Sequence, residues 1–196
     1  MHHLAVMAVG AALVIGAGTG AVTSVDQPKA QHNESDVSNP MVDGQAMSRD
    51  LTILDNAAHT TVHKSFVAEM RAAGYDAVLN RGGYYTVFAP TDAAFEALPK
   101  DQRERLMANG ESAAKSAGYL VLRGKYDSQT LLKLINENGG SAKLKTVEGG
   151  VITAMMNGPT NIALIDEKGN VADIAIYDIY QANGVMQVVD KVMLPA

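Results

Sequence analysis

The spacing of apolar residues divides the chain into a helical first half and a strand-rich second half. Residues 48–58 and 62–73 carry apolar side chains at the three- and four-residue intervals of an amphipathic helix. From residue 142 onward, short apolar and β-branched runs are separated by turn signals such as Asn157-Gly158-Pro159. Because helices come first and strands later, the pattern predicts an α+β domain with mainly antiparallel strands and several helices in the N-terminal half.

The stretch 84–99 predicts a strand that leads directly into a short helix. Residues 84–88 are aromatic or β-branched, the types that favour a buried strand. Pro90 has no N–H for the ladder and is expected to end that strand. Thr91 is a favourable helix N-cap, and Asp92 places a negative charge at the positive end of the helix.

The last apolar run predicts a final strand after the turn at Asn183-Gly184. Alternate side chains from Met186 through Leu194 are expected to line one buried face of this strand. Asp190 falls on that same apolar face. Because an isolated buried carboxylate is costly, we expect Asp190 to have a partner or to lie at a bend.

The start of the chain has the pattern of an export signal. Residues 1–25 contain no Asp, Glu, Lys or Arg, and small residues follow the apolar run 4–15. This predicts a signal peptide over residues 1–24, or alternatively an uncleaved membrane anchor, since the uncharged run is just long enough to span a bilayer. The polar segment 25–47 predicts a flexible linker and leaves 48–196 as the domain. The protein is therefore expected to be secreted or periplasmic, and membrane-attached only if the N-terminal segment is retained.

Composition and charge exclude several classes of function. The net charge of −5, from 21 acidic and 16 basic residues, argues against a nucleic-acid binder held by a basic surface. The chain has no cysteine, which excludes disulfides, thiolate metal sites and cysteine catalysis.

One pair of histidines has the spacing of metal ligands. His59 and His63 are four residues apart, but Thr60 stands where a metalloprotease motif has its general-base Glu. The run of weak helix formers between the two histidines predicts a helix break, so they are weak metal candidates. Nucleophile-elbow, phosphate-loop and EF-hand motifs are all absent from the sequence. We therefore predict no enzymatic activity and no cofactor.

Two segments resemble the two signatures of the fasciclin-type adhesion domain. The segments are 85–95 and 183–195, they occur in the expected order, and the resemblance covers about residues 48 to 195. The positions that match the motifs are expected to be structural. They are Phe88, Pro90, Thr91, Asp92, Phe95, Asn183, Gly184 and Asp190.

The resemblance implies both a fold and a function. It implies a wedge of two packed β-sheets, and a non-enzymatic, exported adhesion module that binds extracellular or cell-surface proteins or polysaccharides. The family's Tyr-His pair has been tied to receptor binding in animal members. Here Tyr119 is kept, Leu120 replaces the histidine and Arg123 replaces a nearby proline, so Tyr119 and Leu120 are only possible interaction residues. The alternative function is a periplasmic protein that binds a small ligand or a metal.

Overall fold

The computed structural model describes residues 38–108 and 110–196. The predicted signal peptide and the greater part of the predicted linker lie outside the described residues. Within them, helices and strands follow one another in the predicted order, and no helix is both long and apolar enough to cross a membrane. The helices are α1 (Ile53–His59), α2 (Lys64–Ala72), α3 (Tyr75–Leu79), α4 (Asp92–Glu96), α5 (Lys100–Met107), α6 (Glu111–Tyr119) and α7 (Ser128–Glu137).

The strands form one hydrogen-bonded order, β2-β1-β7-β6-β5-β4-β3, in which β1 and β7 are parallel and the other pairs are antiparallel. The long strand β6 belongs to both halves of this order. It pairs with β7 in the half that contains the parallel pair, and with β5 in the half in which all the strands are antiparallel. The predicted α+β fold is thereby confirmed. The strands are β1 (Tyr85–Pro90), β2 (Val121–Arg123), β3 (Ser141–Lys145), β4 (Val151–Asn157), β5 (Asn161–Ile165), β6 (Val171–Gln181) and β7 (Gly184–Val189).

Strand β6 bends between the two halves at a bulge. The register with β7 shifts between Ile174 and Ile179, and Asp178 has a φ of 58° within the shift. The Asp178 carboxylate accepts hydrogen bonds from the Ser128 N–H (2.8 Å) and the Gln187 amide (2.9 Å). These bonds hold a conformation that a residue with a Cβ rarely adopts, and they join the bulge to the first turn of α7.

The folded domain begins earlier than predicted. The Asn39 side chain accepts a hydrogen bond from the Tyr180 N–H (2.8 Å) and donates one to the Tyr180 carbonyl (2.6 Å). Val42 and Met47 are buried in the core. Residues 38–47, assigned to the linker from their polar composition, are therefore bound to the domain, because a few anchoring side chains outweigh the composition of the segment.

Candidate interaction surface

The antiparallel half of the sheet has one core face and one face that is open to solvent. Alternate side chains of β3 to β6 point into the core and are at most 3% exposed: Ala142, Leu144, Ile152, Ala154, Ile162, Leu164, Ala172 and Ile174. The opposite face carries large apolar side chains as well. Met155 is 38% exposed and Val171 is 40% exposed, while Val151 and Ile165 are half-buried.

The strand register brings these outer side chains together. Thr153 pairs with Ile165, and Ile165 pairs with Val171, so the apolar residues occupy neighbouring positions on three strands. On the other side, Lys145 pairs with Val151 and Lys143 pairs with Thr153. We call this surface the outer sheet face. Its residues are Lys143, Lys145, Val151, Thr153, Met155, Ala163, Ile165, Val171 and Asp173.

The outer sheet face borders a groove where the two ends of the sheet meet. Leu122 of β2 forms an antiparallel bridge with Thr146, and the Val147 N–H donates to the Val121 carbonyl at 2.8 Å. Arg123 and Lys145 each lie one residue from this bridge, on the two chain segments that it joins. The groove has a volume of about 490 Å³ and is called the seam groove here. It is lined by Arg123, Tyr126, Lys145, Thr146, Val147 and Gly149.

These surface residues were not among the sites predicted from the sequence. The one available signal was the alternation of β3, in which Lys143 and Lys145 flank the buried Leu144. That alternation indicates a solvated lysine face but does not indicate which residues of other strands lie beside it.

The structure places the two histidines in different environments. α1 ends at His59 and α2 begins after His63, so the predicted helix break lies between them. His59 is exposed, with Nδ1 2.7 Å from the Asp55 carbonyl, whereas His63 is fully buried with Nδ1 2.9 Å from the Thr60 hydroxyl. Burial lowers the pKa of His63, and the nearby carboxylate of Asp92 opposes this only in part. Among the residues described, no three His, Asp or Glu side chains are grouped as metal ligands.

Tyr119 and Leu120 cannot contact a partner directly. Tyr119 is the last residue of α6, not part of a strand, and both side chains are fully buried. The Tyr119 hydroxyl donates to the Val151 carbonyl (2.8 Å) and accepts from the Glu167 N–H (3.0 Å), and burial raises its pKa to about 12. The predicted interaction role is corrected: Tyr119 connects α6 to β4 and to the turn after β5 from inside the domain.

The first motif forms the junction between β1, α4 and α2. Phe88 and Phe95 are fully buried, and β1 extends through Pro90, one residue further than its missing N–H suggested. Thr91 caps α4 by accepting a hydrogen bond from the Ala94 N–H at 3.3 Å.

Asp92 connects the first motif to α2. Its carboxylate accepts hydrogen bonds from the N–H groups of Ser65 (2.7 Å) and Lys64 (3.2 Å), at the start of α2. Partial burial alone would raise the pKa of Asp92, but these donors outweigh burial and lower the pKa. The negative charge of Asp92 therefore acts within the fold, where it stabilises the N-terminal end of α2.

The cap at Thr91 leads to a stability prediction. Thr91→Ala removes the acceptor of the Ala94 N–H, and we expect the free energy of unfolding to fall by about 1 kcal/mol. Urea denaturation measures this change. Thr91→Ser keeps the hydroxyl and is expected to retain most of the stability. Equal losses in the two variants would contradict the cap.

The second motif connects β7 to the first helix. The Asn183 side-chain oxygen accepts a hydrogen bond from the Ile53 N–H (2.9 Å), and Gly184 pairs with Tyr85 in the parallel register. Asp190 lies beyond the end of β7, is exposed, and accepts a hydrogen bond from the Asp173 N–H at 2.7 Å. The predicted apolar-face position of Asp190 is wrong because β7 ends at Val189, but its partner and its bend are both present.

The comparisons with known proteins place this fold in a family. The family model "Fasciclin domain" matches residues 61–195, which is more than half of the chain. The chain belongs to the fasciclin domain family. Its structure resembles that of a FAS1 domain pair from the insect cell adhesion molecule Fasciclin I, with a TM-score of 0.65 and 17% identity over 74% of this chain and 51% of that one.

The chain is similar to a relative of comparable length and to one that is much longer. The chain is 30% identical to protein sll1483 of Synechocystis over 148 residues, which cover 74% of each protein. It is 28% identical to the transforming growth factor-beta-induced protein ig-h3 of Sus scrofa over 144 residues. That match covers 74% of this chain and only 19% of the pig protein, so the chain corresponds to a small part of this longer relative.

Proposed function

We propose that the protein is an exported, non-enzymatic adhesion module that binds a cell-surface or extracellular macromolecule through the outer sheet face. The observation that carries this proposal is the grouping of partly exposed Met155 and Val171 with Val151 and Ile165 on one face of a sheet whose other face is the core. Membership of the fasciclin family and the structural likeness to a cell adhesion molecule support it.

The composition of the outer sheet face suits a protein interface or a carbohydrate interface. Contiguous exposed apolar side chains with a polar border are characteristic of interaction sites, and methionine adapts its shape to a partner. Here Lys143 and Lys145 form one border. Removal of Met155 and Val171 from water would supply the apolar part of the binding free energy. The lysines would favour an acidic or polar partner.

The surface is preformed. β4 lies between β3 and β5 with five paired residues on each side, so its backbone is held by hydrogen bonds along both edges. A binding face on such strands loses little conformational entropy when a partner associates. The mechanism is therefore association without a chemical step.

The most perturbed carboxyl group supports a non-enzymatic role. Burial raises the pKa of Glu69 to about 7, a value that would suit a general base. Yet Glu69 is fully buried on α2, so a substrate could not reach it. Its pKa follows from desolvation within the helical half.

An attachment assay tests the proposal. Beads coated with purified protein are counted on cells of the source organism, with wild type compared with Met155→Glu/Val171→Glu. Both new carboxylates would have to be desolvated at the interface, so we expect attachment to fall by about tenfold or more.

The matched control is Met41→Glu/Leu132→Glu, which changes two exposed apolar residues outside the outer sheet face by the same chemistry. This control is expected to attach like wild type, and thermal denaturation shows whether each variant is folded. Equal attachment by the outer-face variant and wild type would contradict the proposal. A wild-type protein that attaches to no cell would favour the small-ligand alternative.

A further inference from the structure

We propose that the seam groove binds a carboxylate-bearing polysaccharide, of the uronic acid class, with Arg123 and Lys145 as its anion-binding residues. The inference rests on the proposed function, because an exported adhesion module is the kind of protein that meets such a polymer. It extends that function by naming the partner's chemistry and a second contact region beside the outer sheet face.

The first observation is that two like charges line one groove. Arg123 and Lys145 flank the Leu122–Thr146 bridge, both side chains are exposed, and both line the seam groove. Like charges that are held near one another repel. In the described part of the chain, neither cation pairs with a carboxylate, although the protein as a whole carries a net charge of −5. An anion between the two side chains would remove this repulsion.

The groove lining contains two cations and no carboxylate. The nearby acid Glu148 is engaged elsewhere, since its carboxylate accepts from the Gly150 N–H (3.0 Å) and lies 4.0 Å from the Lys115 ammonium. Lys143 continues the basic row, because it lies two residues from Lys145 on the same face of β3, about 7 Å away. The three cations thus form a row that a polymer with repeated carboxylates can follow.

The Arg123 side chain lies over a neighbouring aromatic ring. Its guanidinium carbon lies 5.9 Å from the centre of the Tyr85 ring, a cation–π distance that restricts the side chain. A guanidinium group binds a carboxylate with two parallel hydrogen bonds. Tyr126 supplies a half-buried aromatic side chain in the same groove, on which the apolar side of a sugar ring can pack.

The seam favours a polysaccharide over an acidic peptide. An extended peptide that adds to a sheet needs unpaired backbone groups at a strand edge. At the seam, however, the Val147 N–H donates to Val121 and the Thr146 N–H donates to Gly150, both within the protein. A ligand must therefore be held by side chains and must carry its own hydroxyl donors and acceptors, as a sugar polymer does.

The test measures binding of the purified protein to polygalacturonate, with dextran and poly-L-glutamate as comparison polymers. We expect wild type to bind polygalacturonate, to bind it more weakly when the salt concentration is raised, and not to bind dextran. Arg123→Gln/Lys145→Gln is expected to weaken binding by about tenfold or more, since two charge-assisted contacts are lost. Its melting temperature in the absence of polymer is expected to stay close to that of wild type, because removal of the repulsion offsets the loss of the Arg123 contact with the Tyr85 ring.

The matched control is Lys100→Gln/Arg105→Gln, which removes two exposed cations from α5. It has the same net charge as the seam variant and is expected to bind polygalacturonate like wild type. Tyr126→Leu is expected to weaken binding of polygalacturonate and to leave any residual binding of poly-L-glutamate unchanged.

Three results would overturn the inference: wild-type affinity in the seam variant, equal weakening in the α5 variant, or binding of poly-L-glutamate as tight as that of polygalacturonate. The proposed function has a separate readout. If coated beads attach to cells while polygalacturonate is not bound, only the inference about the seam groove fails. If the beads do not attach, the adhesion function itself fails.

Discussion

Gly184→Ala is expected to destabilise the domain by roughly 3–5 kcal/mol, a large share of the 5–15 kcal/mol that stabilises a typical domain. A Cβ added at Gly184 would collide with the Tyr85 carbonyl oxygen and would stand 2.8 Å from Ile53 Cδ1. The carbonyl belongs to the neighbouring strand β1, which pairs with β7 in parallel, so it cannot rotate away as a side chain could. The clash can be relieved only by separating two central strands.

Thermal and urea denaturation measure this loss, and a fall in melting temperature of about 10 °C or more is expected. Gly158→Ala is the matched control. A Cβ at Gly158 meets nothing within 4 Å, and its φ of +77° makes the substitution strained for local reasons alone. The control is therefore expected to lose only about 1 kcal/mol. A loss at Gly184 no larger than the loss at Gly158 would contradict the close approach of β7 and β1.

Glu69→Met is expected to stabilise the protein at pH 8 by about 2–3 kcal/mol and to change little at pH 5. Glu69 is fully buried on α2, and neither carboxylate oxygen has a hydrogen-bonding partner among the described residues. Burial raises its pKa from 4.5 to about 7, and the neighbouring Ser116 hydroxyl, which does not reach hydrogen-bonding geometry, offsets only part of the rise. Methionine has a similar length and no charge to desolvate.

The direction of the pH dependence follows from linkage. Above pH 4.5 the unfolded chain ionises Glu69 readily, while the folded chain still binds its proton. The contribution of Glu69 to stability is therefore full below about pH 4.5, falls as pH rises, and reaches its lowest level above about pH 7. A shift of this size corresponds to about 3 kcal/mol.

The buried His63 gives the opposite pH dependence of stability. Burial lowers the pKa of His63 below 6.5, so its contribution to the free energy of unfolding is full above pH 6.5 and is lost as pH falls. Comparison of wild type with Glu69→Met at each pH removes the His63 contribution, because both proteins contain it. Urea denaturation at pH 5 and pH 8 gives the two differences.

Glu104→Met on α5 is the control for Glu69→Met, since the Glu104 side chain is exposed and forms a surface ion pair with Lys100. Its effect is expected to be small and nearly the same at both pH values. If Glu69→Met had equal effects at pH 5 and pH 8, a buried carboxyl group with a raised pKa would be ruled out.

The local parts of the fold could be predicted from the sequence. The strand, the proline and the N-cap of stretch 84–99 are each specified by residues within a few positions, and the structure contains β1, the Thr91 cap and α4 in that order. The helix break between His59 and His63 followed equally from weak helix formers. In these cases local propensity and tertiary packing favour the same conformation.

Features that depend on distant pairing could not be predicted. Gly184 matches a family motif, but its need for the smallest side chain arises from Tyr85, which is distant in sequence. Tyr119 and Leu120 begin an aromatic and aliphatic run over residues 119–122 that favours a strand, yet in the structure Tyr119 ends α6 and Leu120 is its C-cap. Tertiary contacts here override the local preference.

The interaction surface could not be predicted from the sequence for a related reason. β4 carries apolar residues at both alternations, with Ile152 and Ala154 on the core face and Val151 and Met155 on the outer face. Such a strand does not reveal from its pattern which face meets solvent. The seam between Arg123 and Lys145 likewise depends on a single bridge between two elements that are separated by α7.

Methionine footprinting tests most directly whether the outer sheet face is the binding surface. The protein is oxidised with dilute peroxide, alone and bound to envelope material from the source organism, and sulfoxide formation is followed at Met155 and Met41. Both side chains are exposed, at 38% and 61%, and only Met155 lies on the outer sheet face. We predict that binding slows oxidation of Met155 severalfold and leaves Met41 unchanged. Unchanged oxidation of Met155 in the bound protein, or equal protection of both residues, would contradict the account.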